Sequence, residues 1–114
     1  MNLGEKGEQL AVDFLKKKGY KIVERNYRNS FGEIDIIALH RGTVAFIEVK
    51  TRRSDEFGQP FEAVDQRKKV KMKNIALIYL RKFKKEVPAR FDVVSIQVSA
   101  DDKQIELIQN AFEV

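Results

Sequence analysis

Between Gly32 and Arg52 the chain reads GEIDIIALHRGTVAFIEVKTR, two apolar stretches joined at Arg41-Gly42. Apolar runs of strand length on either side of a two-residue turn call for an antiparallel hairpin. With Arg41-Gly42 as that turn, His40 faces Thr43, Leu39 faces Val44 and Ile37 faces Phe46. Continuing outward, Asp35 faces Glu48 and Glu33 faces Lys50. A bulge would change this pairing but not the alternation within each strand. Alternation puts 33, 35, 37 and 39 on one face with 44, 46, 48 and 50. The other face carries Ile34, Ile36, Ala38, Ala45, Ile47 and Val49. Both faces are apolar along most of their length, so both should be covered.

The charges are what the hairpin has to explain. Directly opposite side chains in an antiparallel pair have Cβ atoms only ~5 Å apart. Two carboxylates that close, partly buried, repel and push one pKa up. A divalent cation offsets that repulsion, and Mg²⁺ (or Mn²⁺) suits a site of one or two carboxylates with room for water and phosphate oxygens. Lys50 shares the face of Glu48 and can bind a phosphate oxygen or orient an attacking water. The plainer reading is that Asp35, Glu48 and Lys50 form a salt-bridged patch. The absence of cysteine and the single histidine, His40, argue against zinc and leave a hard metal held by carboxylates.

At 114 residues the chain is read as one domain, residues 1–114. The order of elements reads α-β-β-β-α-β-β. A first helix is expected from about Leu3 to Lys18, closed by Gly19, and strands over Tyr20 to Tyr27, Ile34 to Leu39 and Val44 to Lys50. A loop follows from Arg53 to Pro60. A second helix opens at Phe61 or Glu62, carries Val64 on its inner side, and runs to about Lys85. Strands over Arg90 to Val98 and Gln104 to Ile108 complete the chain. This order argues for a mixed α/β or α+β fold, a mostly antiparallel central sheet flanked by helices. Glu8, one turn before Val12, lies on the inward side of the first helix. Lys68 shares a side with Val64, Met72 and Ile75 in the second. Each is either an edge residue or an inward-pointing part of a site.

Formal net charge is +5, but nine Lys or Arg fall between Arg67 and Lys85 with no acid among them. The remainder of the chain holds 13 basic residues against 17 acidic, a net of −4. A cationic field gathered on one element suits a polyanion such as nucleic acid; a solvated helix face is the alternative. The early acids and the lack of a long apolar run argue against a secretory signal, and the apolar run Ile75 to Leu80 is too short to cross a bilayer. A cytoplasmic protein without membrane contact is expected.

Asp35 followed by Glu48-Val49-Lys50 resembles the signature of PD-(D/E)XK nucleases, an acid on one strand and (D/E)-X-K on the next. The wider set resembles the YraN-like family of predicted bacterial endonucleases, distantly similar to archaeal Holliday junction resolvases. It comprises GEQLAVDFL, RNYRNSFGEIDIIA, FIEVKTR, AVDQRKKVKMKNIALIYL, RFDVV and the late NAF. The resemblance implies a restriction-endonuclease-like core. It implies Asp35 and Glu48 as metal-binding acids, Lys50 as the catalytic lysine, the Val49 carbonyl as a further ligand, and Glu8 as an active-site glutamate. The proline of the name is absent, Ile34 standing before Asp35; it is dispensable in that superfamily.

The leading expectation is therefore an Mg²⁺-dependent endonuclease that hydrolyses phosphodiester bonds in DNA. Arg25, Arg28, Arg52 and Arg53, with Gln66, Lys68 and Lys71 of the basic helix, would hold backbone phosphates, contacts that position without reading sequence. With no base-reading motif in view, branched or junction DNA is the expected substrate, and a homodimer suits two symmetric strands. Two other readings stay open. One is a non-catalytic nucleic-acid-binding module, the other a scaffold whose basic helix meets an acidic partner.

Overall fold

Where the apolar residues of a strand fall on both faces, each face needs its own cover, and the computed structural model supplies a helix for each. It describes residues 2–53 and 65–112. The elements are α1 (Leu3–Lys17), β1 (Lys21–Asn29), β2 (Gly32–His40), β3 (Thr43–Arg53), α2 (Gln66–Leu80), β4 (Ala89–Val98) and β5 (Lys103–Phe112). The five strands form one mixed sheet in the order β1-β2-β3-β4-β5. Three neighbouring pairs are antiparallel, and β3 with β4 is parallel. Strands that run parallel need a crossover between them, and α2 lies within it.

Helix α1 begins where Asn2 accepts the Glu5 amide at 2.8 Å, and Glu5 suits the positive end of the helix dipole. Its stripe of Ala11, Val12 and Leu15 packs on Ile36, Ala38, Ala45, Ile47, Val94 and Ile96. Helix α2 begins at Asp65, whose carboxylate accepts the Lys68 amide at 2.9 Å. Its Met72, Ile75, Ala76 and Tyr79 pack on Ile37, Val44, Phe46, Phe91 and Val93. Two apolar layers thus sandwich the sheet, one under each helix.

Three expectations need correction. Helix α2 stops at Leu80 rather than near Lys85: the amides of Arg81, Lys82 and Phe83 bond three residues back, tightening the chain into turns. That winding turns Phe83 against Tyr79, ring centroids 6.1 Å apart. The last strand runs past Ile108 to Phe112, because Phe112 stacks on Phe91 at 4.9 Å. Ile34 does not share a face with Ile36. It belongs with Tyr27 to the layer under α2, whereas Ile22 and Ile36 lie under α1. Along β1 the ladder shifts register between Ile22 and Glu24, and Asn26 takes a left-handed backbone, φ 53°. The expected loop beyond Arg53, the helix start at Phe61 or Glu62 and the placing of Val64 fall outside the described residues.

Candidate functional site

The hairpin of β2 and β3 pairs as expected from His40–Thr43 to Ile36–Ile47, its turn made by Arg41 and Gly42, both at positive φ. There the ladder ends, so Asp35 is not paired with Glu48, nor Glu33 with Lys50. The reason is a side chain: the Val49 amide, which would have sought a carbonyl of β2, donates to Asp35 Oδ2 at 2.8 Å. Beyond Ile47, among the described residues, β3 keeps only β4 as a strand partner, through to Arg53–Val98. Two strands that part while their acids remain between them create a cleft. Asp35, Val49, Lys50 and Thr51 line a cavity of about 450 Å³ there with Glu8 and Asn26.

The chemistry at this fork is dense. Glu48 is 6% exposed. Its Oε1 accepts the ammonium of Lys68, reaching across from α2, and lies 3.5 Å from Lys50 Nζ. Burial, and next the charge of Glu48, push the Asp35 carboxyl up to about 7, against the opposing pull of the Val49 amide and Lys68. Burial also lowers Lys50, and the neighbouring Lys68 lowers it further. For Lys68 burial works the same way, but its bond to Glu48 and the nearby acids outweigh it and raise the pKa. The site therefore holds a proton-ready acid, an ion-paired acid and a weakened ammonium within one half-buried space.

Of the other residues singled out in the sequence, Glu8 lines the cavity from α1. Arg25 is exposed and donates to Gln9 at 3.2 Å, and Arg28 is tied to Glu33. Arg52 and Arg53 end the site's strand β3, still paired with Gln97 and Val98 of β4. Gln66 and Lys71 are exposed on α2. Sequence reasoning passed over Asn26. With its amide nitrogen facing the acids, it donates to Glu8 Oε1 at 2.7 Å and Glu33 Oε1 at 2.9 Å, fastening α1 to the hairpin. Its signal was available: an asparagine inside KIVERNYR is a poor strand former and a ready left-handed residue.

Position in α1 depends on Gly7. A Cβ there would lie 1.8 Å from Thr51 Oγ1 and within 3.0 Å of Thr51 Cβ and Cγ2. Rotating the threonine does not relieve its Cβ. Gly7→Ala should therefore destabilise despite alanine's better helix propensity, with overpacking costing about 1–3 kcal/mol against a gain of about 1. Urea unfolding checks the sign, and an unchanged or raised midpoint would show that α1 can slide.

A family profile described as "Uncharacterised protein family UPF0102" matches residues 7–96. The chain belongs to this family. A UPF0102 protein of Thermodesulfovibrio yellowstonii is 52% identical over 112 residues, covering 98% of this chain and 96% of the relative. A UPF0102 protein of Syntrophus aciditrophicus is 46% identical over 115 residues, covering 100% of this chain and 91% of its own. One from Geobacter metallireducens is 48% identical over 114 residues, at 99% and 93%. The family match spans Glu8, Asp35, Glu48 and Lys50 together.

Among the described residues no three His, Cys, Asp or Glu side chains close into a metal-holding group. What this family member offers is a pair, Asp35 and Glu48, with the Val49 backbone between them and a lysine on the second acid. All-oxygen donors with at most two carboxylates fit Mg²⁺ or Mn²⁺ rather than a softer ion. The Asp35 carboxyl, raised first by burial and then by the charge of Glu48, is a group that a bound divalent cation would help to ionise. No described helix is long and apolar enough to cross a membrane.

Proposed function

We propose that this chain is a metal-dependent endonuclease of restriction-endonuclease-like, PD-(D/E)XK architecture, hydrolysing phosphodiester bonds in DNA, with branched or junction DNA as the favoured class. The observation that carries the reading is the fork. Asp35 and Glu48 meet where β2 and β3 separate, Lys50 stands beside Glu48, and Glu8 enters from α1.

Asp35, Glu48 and the Val49 carbonyl would hold Mg²⁺ or Mn²⁺, which when bound supplies Lewis-acid activation of water and of the scissile phosphate. The chain's own residues do the rest. Lys50, at 3.5 Å from Glu48, points its ammonium at the same space and can stabilise charge building on a phosphate oxygen. Its lowered pKa lets Nζ release or take a proton more readily than an exposed lysine does. Lys68 neutralises Glu48 until a stronger cation arrives. Arg25, Arg28, Arg52, Arg53, Gln66 and Lys71, none of which lines the cavity itself, would serve as outlying phosphate contacts. A two-fold junction further calls for a homodimer, one site for each strand.

Labelled junctions, flaps and single strands incubated with Mg²⁺, Mn²⁺ or a chelator test the reading. Nicking is expected only with metal, and Lys50→Ala should lower it by about 100-fold or more while binding persists. The ion pair that Lys68 makes with Glu48 favours one second reading, a binding module whose acids only order the hairpin. Salt-sensitive DNA binding by the wild type with no nicking under either metal would establish that module instead.

A further inference from the structure

Most of the ring side chains described are inside the protein: Phe46, Tyr20, Tyr79, Phe91 and Phe112 are all buried. Phe31 is 46% exposed, and it is the one aromatic among the exposed large hydrophobic residues described. It sits at the tip of the hairpin between β1 and β2, one residue before Gly32. The tip is fixed rather than loose. The Phe31 amide donates to Asn29 Oδ1 at 3.0 Å, and Asn29 Nδ2 donates to the Ile75 carbonyl of α2 at 3.3 Å. Gly32, at φ 139°, lies so close to α2 that a Cβ would come within 3.3 Å of Ile75 Cδ1 and 3.4 Å of Lys71 Cδ.

Beside that tip is a second cleft of about 360 Å³, between Gly32 and the first turns of α2, walled by Arg67, Lys68 and Lys71. Its acids are already engaged, Glu33 by Arg28 and Asp65 by the Lys68 amide. Arg67 and Lys71 thus place positive charge in the cleft beside the solvent-facing ring, and Lys68 links that cleft to Glu48 of the candidate site.

We propose that Phe31 is a stacking platform for an unpaired base, set next to a phosphate-binding cleft. The preferred ligand is then nucleic acid with single-stranded or splayed nucleotides beside the cleft. This rests on the nucleic-acid reading given above and adds what part of the substrate is recognised. An exposed ring gains by covering its face with a base, because both apolar faces leave water. In continuous duplex every base face is already stacked on its neighbours, so the platform has nothing to accept. Flanking cations hold the backbone while the ring tests for a free base.

Equilibrium binding in a chelator, where no strand is cut, tests it. The probes are a labelled single strand, a fork with unpaired arms and a continuous duplex of equal length. Phe31→Ala should weaken binding to the single strand and the fork by about 10-fold, and to the duplex by less than about twofold. Phe31→Trp should restore the preference. Because the chain contains no other tryptophan, the introduced indole also reports directly, its emission quenched by the single strand and not by the duplex. Equal losses on all three ligands, no loss on any, or an indole indifferent to the single strand would overturn the proposal. Nicking assays on the same proteins keep it separate from catalysis. No nicking with the stacking signature intact defeats the nuclease and leaves the platform. Nicking whose strand preference survives Phe31→Ala defeats the platform and leaves the nuclease.

Discussion

Asp35→Asn should abolish nicking, by about 100- to 1000-fold, and at the same time make the protein more stable above pH 7. Both effects come from one charge. The folded carboxyl titrates near 7, against an ordinary value of 3.8. A folded-state pKa raised above the unfolded one means that the native state binds the extra proton between those values. Stability is therefore highest at the acid end of that window, falls as pH rises from about 4 toward 7, and is lower by up to roughly 4 kcal/mol beyond it. Asparagine has no such proton to lose and keeps an oxygen to accept the Val49 amide. Thermal unfolding should show the variant gaining more over wild type at pH 8 than at pH 5, where only the first part of the loss has occurred. Alanine removes the acceptor as well, leaving the Val49 amide unpaired at a cost of about 1–3 kcal/mol, so Asp35→Ala should gain less. Mg²⁺ at pH 8 should raise the wild-type midpoint and leave that of Asp35→Asn nearly unmoved. Equal pH profiles for wild type and Asp35→Asn would mean that this carboxyl is not held up by its surroundings.

Asp92→Ala carries the largest expected loss of stability, about 3–5 kcal/mol. Asp92 is fully buried and accepts from Arg90 Nε at 3.0 and 3.1 Å, from the Tyr20 hydroxyl at 3.0 Å, and from the Asn110 amide at 2.9 Å. Arg90 also bonds the Tyr20 hydroxyl at 2.8 Å and His40 Nδ1 at 2.9 Å, and the Tyr20 and His40 rings stack at 4.1 Å. Removing the carboxylate strands a half-buried guanidinium and two polar hydrogens inside the α1 end of the core. Domains of this size are stable by about 5–15 kcal/mol, so the variant should sit near its folding threshold. Asp92→Asn keeps the shape and part of the bonding and should cost less. Urea midpoints at constant slope measure both; a loss under about 1 kcal/mol for Asp92→Ala would show that water replaces the carboxylate.

How much of this was legible in the sequence depended on whether a signal was local. The hairpin turn at Arg41-Gly42, the register from His40–Thr43 to Ile36–Ile47, and the coverage of both faces all follow from alternation. So does the inward placing of Glu8 and Lys68, from helical spacing. The break at Asp35 does not, because it arises when one carboxylate displaces a carbonyl as partner of the Val49 amide, a choice between two acceptors that no periodicity encodes. The Asp92 hub was equally hidden: its members lie at 20, 40, 90, 92 and 110, and only the closed sheet brings them together. Gln109, which bonds Tyr20 at 2.8 Å, belongs to the same case.

The parallel neighbour of β3 also bears on when the fork between β2 and β3 can exist. Among the described residues, Glu48 to Arg53 pair only with β4, from Val93 to Val98, which is translated later. During synthesis the hairpin can zip only its first five pairs, and the acidic half of β3 waits, unsupported, until Val98 has left the ribosome. A chain that stops short of β4 therefore leaves Glu48 and Lys50 on a strand half with no ladder to hold it.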